Sequence, residues 1–425
     1  MPGNVSETAW IGEKPAASLR VKNKDTTMIR IILKKGRDES LRRFHPWVFS
    51  GAIAQIQGNP SEGDIVAVHD SEGEFMACGH YQIGSIAVRI LSYDDSALRP
   101  DFYEVMISRA LEVRAACGLD GGEMQTNCYR LVHGEGDNLP GLIIDYYDGV
   151  CVLQAHSVGM FRAKKQISDA LRTVYGNRLK AVYDKSSGTA PFKAGLELVD
   201  GYMYRNEGFS DDEQVVVENG HKFLVNWTEG QKTGFFLDQR DNRLLVGQCS
   251  KGRNVLNLFC YTGGFSIYAL ACGALHVDSV DSSKKAMMMV DRNVRLNGFD
   301  ESRHTSLCCD AIDYLKTVPE GKYDLMIVDP PAFAKHRGAL RNALRAYQRL
   351  NASAISKVAP GGLIFTYSCS QVVDKEAFAL AVFSAAAQCG RSVRILDRLN
   401  QPCDHSVNIY HPEGEYLKGL LLYVE

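Results

Sequence analysis

The stretch that decides the fold is NVLNLFCYTGGFSIYALACGALHVDSVD, Asn254 to Asp281. Val255 to Cys260 is an apolar run that predicts a short buried strand. Tyr261-Thr262-Gly263-Gly264 is a glycine turn, and Phe265 to Cys272 has the small, apolar content of a buried helix. His276 to Asp281 then predicts a second strand ending on a carboxylate. A right-handed βαβ unit sets the glycine turn beside that acid at the carboxyl edge of a sheet. There the glycines admit a ligand close to the backbone, and Asp281 can accept hydrogen bonds from two ribose hydroxyls. The unit predicts a nucleoside-cofactor site.

A dinucleotide fold calls for G-x-G-x-x-G with the pyrophosphate on the helix N-terminus. Here Gly263 and Gly264 are adjacent and no third glycine follows at the right offset. Two more strand-plus-acid units follow instead, HTSLCCD ending at Asp310 and DLMIVD ending at Asp329, the latter followed by Pro330-Pro331. Three acids at successive strand ends repel a pyrophosphate and suit a cationic sulfonium nucleoside. S-adenosyl-L-methionine is therefore preferred over NAD.

The chain of 425 residues predicts two or three domains at roughly 100–200 residues each. Its 45% apolar and 23% charged residues are ordinary for a globular protein. No apolar run approaches the roughly 20 residues that span a bilayer, and the N-terminus lacks a secretory layout. Twelve cysteines, mostly inside apolar segments and without a C-x-x-C pair, predict reduced thiols in a cytoplasmic protein and no metal site. The net charge of −2 does not advertise a nucleic-acid binder, but the cations are clustered. Residues 28–50 carry six Lys/Arg against two acids, residues 160–193 eight against two, and residues 335–349 five against none. Three such runs, one directly after Asp329-Pro330-Pro331, favour a phosphate backbone as partner.

Residues 1–27 are polar and aperiodic and precede a Met28 that could itself be a start, so a disordered tail is expected. Residues 28–98 show closely spaced short strands, MIRIIL, HPWVFSGAI, DIVAVHD, EFMACGHYQ and IAVRIL, which predict a small β-barrel with Trp47 in its core. Residues 99–205 read as a connector helix and a small α+β unit with a β-β-α-β pattern and a helix over 161–175. That pattern serves equally as an RNA platform or as a packing module. Phe223 to Val225 and Trp227 predict a strand pair leading into GQKTGFFLDQR. In that segment Phe235 and Asp238 line a pocket mouth, or Asp238 caps the following helix. Residues 206–425 then predict an α/β, doubly wound sheet of about seven strands with an antiparallel C-terminal strand.

Asp329-Pro330-Pro331-Ala332-Phe333 and Ser368-Cys369-Ser370 fall at the ends of adjacent strands. A carboxylate with a rigid Pro-Pro turn suits methylation of a planar base, with Phe333 stacking on its face. Cys369 selects the atom. Cytosine C5 is a poor nucleophile until a thiolate adds at C6, and the free thiol pKa of about 8.5 leaves modest local help sufficient.

With these residues in view, the chain resembles the bacterial ribosomal RNA large subunit methyltransferase I family. The likeness runs through KGRDESLRRFHPWVFSGAI, RLVHGEGDNLPGL, GQKTGFFLDQRDNR, NLFCYTGGF, VDPPAF, FTYSCS and EYLKG. It implies an N-terminal PUA domain, a central α+β domain and a C-terminal Rossmann-like class I methyltransferase that makes 5-methylcytosine in 23S ribosomal RNA. It also implies Cys369 as nucleophile, Asp281 on the ribose, Asp310 beside the adenine and Asp329 on the base edge. The expected cofactor set is Asn257, Phe259, Tyr261, Gly263, Gly264, Asp281, Ser282, Asp310, Phe235 and Asp238. The RNA set is Pro330, Pro331, Phe333, Lys335, Arg341 and Arg345. The expected partner is 23S ribosomal RNA or an assembling large subunit, with a homodimer among the options. No second thiol accompanies Asp329, so the base that removes the C5 proton has no candidate in the sequence. The alternatives are a ribosomal RNA base N-methyltransferase, which needs no nucleophile, and a non-catalytic PUA-type RNA-binding factor.

Overall fold

A computed structural model describes residues 28–119, 125–191 and 195–425. The expected tail at 1–27 and Lys193 of the second basic run lie outside them.

The first unit is a six-stranded sheet, β1 (Arg30–Leu33), β2 (Trp47–Phe49), β3 (Ile53–Gln57), β4 (Ile65–His69), β5 (Phe75–Tyr81) and β6 (Ile86–Ser92), with a single helical turn, α1 (Glu39–Arg42). Its order is β2-β6-β5-β4-β1-β3, with β1 and β4 parallel. Ile31, Leu33, Val66, Val68, Val88 and Ile90 fill its core. HPWVFSGAI is not one strand: a 3-10 turn at Ser50–Ala52 separates β2 from β3. Trp47 is not core either. Its ring packs 4.2 Å from that of His411, and its Nε1 donates to Glu135 at 2.9 Å. An indole N–H needs an acceptor once it leaves water, and here that acceptor belongs to the second unit, so Trp47 ties three parts of the chain together.

Helix α2 (Phe102–Ala116) leads to a five-stranded sheet of β7 (Cys128–His133), β8 (Leu142–Tyr147), β9 (Val150–Ala155), β10 (Ala181–Asp184) and β11 (Gly201–Arg205), in order β11-β10-β9-β8-β7. The helix expected over 161–175 is two, α3 (Val158–Arg162) and α4 (Lys164–Tyr175), meeting at Ala163. The expected strand pair at 223–227 is instead one strand, β13 (His221–Asn226), paired with β12 (Glu213–Glu218).

The C-terminal sheet follows α5 (Arg240–Cys249). In chain order it contains β14 (Asn254–Leu258), α6 (Gly264–Ala271), β15 (His276–Asp281), α7 (Lys284–Leu296), β16 (His304–Cys308) and α8 (Ala311–Thr317). Next come β17 (Leu325–Val328), α9 (Leu340–Lys357), β18 (Gly362–Ser368), α10 (Lys375–Cys389), β19 (Val393–Asn400) and β20 (Lys418–Val424). The order is β16-β15-β14-β17-β18-β20-β19, and β20 is antiparallel to both neighbours. Helices cover both faces, so β17 and β18 are buried at every residue, which is why they read as continuous apolar runs. The chain reverses its winding between β14 and β17, and a doubly wound sheet binds ligands at such a switch point, outside the strand ends.

Buried ions join the units. Arg240 of α5 pairs with Asp404, whose Oδ2 also accepts Arg130 N at 2.9 Å. Arg114 of α2 pairs with Asp137 and donates to Asp404 O at 2.6 Å. Losing one partner of such a network strands a buried charge, at a cost of about 3–5 kcal/mol.

Candidate active site

A cavity of about 270 Å³ opens at the switch point. One wall comes from the turn after β14. Phe259 and Tyr261 hold φ of +59° and +48°, a left-handed backbone that costs a residue with a Cβ of the order of 1 kcal/mol or more. Hydrogen bonds offset it: Tyr261 N donates to Asp281 Oδ2 at 3.0 Å, and Tyr261 Oη accepts from Gln231 N at 2.9 Å. Gly263 has φ +80°, and a Cβ there would sit 2.9 Å from Val290 Cγ1. A Cβ on Gly264 would sit 3.0 Å from Arg243 Cδ. Of the two glycines, Gly264 lines the cavity, while Gly263 shapes the turn behind it.

Asp281 and Ser282 line the same wall. Each Asp281 oxygen takes one backbone N–H, Oδ2 from Tyr261 and Oδ1 from Ser283 at 2.9 Å. The carboxylate is fixed in orientation and keeps its remaining lone pairs for a ligand. Asn257 lies beneath the turn, fully buried, with Nδ2 donating to Ser266 Oγ at 2.8 Å. It does not line the cavity. Asp310 is exposed and also lies outside it; its Oδ1 accepts from Ile312 N and Asp313 N, which makes it the N-cap of α8.

The opposite wall carries the reactive groups. Asp329 accepts from Gln239 Nε2 at 2.9 Å, and burial together with the charge of Asp238 pushes its carboxyl up to about 7. Pro330 and Pro331 line the cavity beside it. Asp238 does not cap α5, whose N-terminal residue is flanked by Gln239. Its Oδ2 accepts the Tyr416 hydroxyl at 2.6 Å, while its buried Oδ1 has no partner among the described residues. Phe235, buried against Phe223 at 4.9 Å, lies under the Arg243 guanidinium, which Glu218 neutralises.

Cys369 lines the cavity at the end of β18, and its flanking serines hold it there. Ser368 Oγ donates to Tyr347 Oη at 2.9 Å and Ser370 Oγ to Ala334 O at 2.6 Å, both turned away into the core. The nearby Lys418 ammonium favours the thiolate, but it is outweighed. Burial, with the charges of Asp329 and Asp238, pushes it up to about 12, contrary to the expectation that modest local help suffices. Phe333 is not among the residues that line the cavity; it is half-buried and packs on Tyr347 at 4.7 Å at the edge of the core.

Sequence reasoning missed Lys418 and Tyr416. Lys418 Nζ is buried and donates to Ser370 O at 2.6 Å and Val373 O at 2.5 Å, pinning the Cys369 loop to β20. Burial lowers this ammonium to about 8. The signal was EYLKG, but its meaning depends on the register that sets Lys418 opposite Ser368.

Lys335, Arg341 and Arg345 are exposed beyond Pro331, with Arg337 and Arg349, and none has an ion-pair partner among the described residues. The run at 160–193 differs. Lys164 pairs with Asp184, Lys165 with Asp169, Lys180 with Asp148, and Lys185 is held by the carbonyls of Trp227 and Gly230. Lys164 and Lys180 thus tie elements of the second unit to one another, Lys185 ties it to the segment after β13, and Lys165 pairs within its own exposed helix face. His45, His411 and Glu413 bring three donor atoms within 4.8 Å of one another, but none of the three lines the cavity.

The switch-point cavity, the glycine turn and the acid that ends β15 accord with an S-adenosylmethionine-dependent methyltransferase, and the family model of that description matches residues 189–421. A PUA-like domain model matches residues 31–93. The chain belongs to the ribosomal RNA large subunit methyltransferase I family. It is 39% identical to that protein of Pseudoalteromonas translucida, over 92% of this chain and 98% of the relative, and 39% identical to that of Aeromonas hydrophila over the same shares. Its fold is shared with a methyltransferase solved with S-adenosylhomocysteine (TM-score 0.79, 23% identity, 93% of this chain and 100% of the other). A Streptococcus mutans S-adenosylmethionine-dependent methyltransferase is equally similar (TM-score 0.78, 23% identity, the same coverage).

Proposed function

We propose that the chain methylates C5 of a cytosine in the RNA of the large ribosomal subunit, in the cytoplasm. The observation that carries the reading is Cys369, a thiol that lines one cavity with Asp329 and the cofactor wall. S-adenosylmethionine would be held by Tyr261, Gly264, Asp281 and Ser282 and would supply an electrophilic methyl group and a positive charge. Burial, and after it the Asp329 and Asp238 carboxylates, keep the Cys369 thiol protonated, and a cation in the cavity would offset the carboxylates. Cys369 adds to C6 of the base, which makes C5 nucleophilic. Asp329, near neutrality in its proton equilibrium, can hold the base edge as donor or acceptor. The PUA-like unit and the unpaired cations at 335–349 present the RNA. An N-methyltransferase would have no use for a cavity-lining thiol, because a base nitrogen brings its own lone pair.

The test is the reaction product. Unmodified 23S ribosomal RNA treated with enzyme and S-adenosylmethionine should yield 5-methylcytidine on nucleoside mass spectrometry. A methyl group on a ring or exocyclic nitrogen would refute the assignment.

A further inference from the structure

Methylation at C5 leaves a proton that some group must remove. We propose that Asp238 is the catalytic base that takes the C5 proton and that Tyr416 positions it, an inference that rests on the cytosine-C5 reading above.

The cavity contains three carboxylates, Asp238, Asp281 and Asp329. Asp281 already accepts one backbone amide on each oxygen, from Tyr261 and Ser283, and it belongs to the glycine-turn wall on the cofactor side. Asp329 is held by Gln239 and sits high enough to carry a proton itself near neutral pH. Asp238 remains. It enters from a third element, the 3-10 turn Leu237–Gln239, and lines the same cavity as Asp329 and Cys369, which both feel its charge.

Its two oxygens are unlike. Oδ2 takes the Tyr416 hydroxyl at 2.6 Å, and burial holds that phenol well above its ordinary range, so it stays a donor. Oδ1 is buried with no donor among the described residues. A buried acceptor left unpaired is costly, and such groups persist where a reaction uses them. Tyr416 thus fixes the carboxylate by one oxygen and leaves the other free.

The step balances. In the methylated adduct C5 bears both hydrogen and methyl, and C6 is bonded to Cys369 Sγ. Oδ1 takes the C5 proton, the C–H electron pair re-forms the C5–C6 double bond, and the C6–S bond breaks with its electrons leaving on the Cys369 thiolate. The proton on Asp238 passes to water when the RNA departs.

Asp238→Asn keeps the shape and the Tyr416 acceptor but removes the base. With unmodified 23S ribosomal RNA and methyl-labelled S-adenosylmethionine, it should transfer one methyl and stop. A labelled protein–RNA adduct should then survive a denaturing gel with ordinary cytosine in the RNA, and turnover should fall roughly 10²–10⁴-fold. Calorimetric affinity for S-adenosylmethionine alone should be unchanged. Asp238→Glu should recover part of the turnover, and Tyr416→Phe should slow release and alter its pH profile without weakening cofactor binding. Release of product by Asp238→Asn at near wild-type rate would overturn the assignment. So would weakened cofactor binding with no adduct, which would make Asp238 a cofactor ligand. Wild-type enzyme on RNA containing 5-fluorocytosine separates the two levels: a trapped wild type with a freely turning Asp238→Asn removes only the base, whereas an untrapped wild type removes the cytosine-C5 reading itself.

Discussion

Asp281 and Asp329 close the two strands that flank β14, and in the sequence they look alike: an apolar run ending on an aspartate. Their surroundings make them different groups. Asp281 is held in one orientation by two backbone amides, one on each oxygen. Asp329 has one side-chain amide and a second carboxylate nearby, and burial moves it up to about 7. One side of the cavity holds an acceptor in a fixed orientation, and the other holds a carboxyl placed to exchange a proton. The difference teaches that the strand-end position only delivers an acid to the sheet edge, and its environment decides what the acid does.

The reactive side is where a single change should cost most. Cys369→Ala should abolish methyl transfer while affinities for S-adenosylmethionine and RNA stay close to wild type, since the thiol acts only in the chemical step. Filter binding, calorimetry and methyl incorporation measured together check it. A variant that still methylates cytosine would move the chemistry to another residue and erase the contrast between the two walls.

Asp329 tests the same contrast through stability. Its folded pKa lies above the unfolded value of 3.8, so its contribution is fully present below about 4 and is lost as pH rises towards 7. At 1.36 kcal/mol per pH unit, the loss is bounded at roughly 4 kcal/mol, and solvent reaching the group reduces it. Asp329→Asn should flatten the dependence of denaturant midpoint on pH between 4 and 7. A profile unchanged from wild type would show that burial does not raise the Asp329 carboxyl.

Asp281→Ala should weaken S-adenosylmethionine binding roughly ten- to a hundredfold, the worth of hydrogen bonds from ribose hydroxyls to a charged acceptor of about 1.5–3 kcal/mol. Asp329→Asn should leave that affinity near wild type, and calorimetry on both variants gives the comparison directly.

Much of this was legible beforehand. The βαβ unit at 254–281, the antiparallel last strand and the residues Asp281, Asp329 and Cys369 follow from period, turn chemistry and strand-end acids. What escaped depends on who meets whom. Asp310 entered as the second acid of a series of three, yet the Asp-Ala-Ile-Asp pattern at the start of a short helix is a cap signature, and the carboxylate caps that helix. Lys418 has no meaning until β20 pairs with β18. Trp47 and Phe333 were assigned by residue type, whereas the packing of neighbouring units decides whether a ring faces a core, an interface or a ligand.

The basic runs repeat this lesson on the surface and give the smallest expected effect. By composition, 160–193 and 335–349 are both phosphate-binding stretches. In the fold, the described cations of the first are occupied with acids, carbonyls and rings, and those of the second are exposed and unpaired. Each phosphate contact contributes about 0.7–0.9 to the slope of log affinity against log salt. Arg341→Ala with Arg345→Ala should therefore flatten that slope for 23S ribosomal RNA by one to two units, with cofactor affinity intact. Lys165→Ala with Arg172→Ala on α4 should leave the slope unchanged, because those side chains already answer Asp169 and the Tyr204 ring. If both pairs flatten it equally, internal pairing does not withhold a cation from RNA, and composition alone was the better guide.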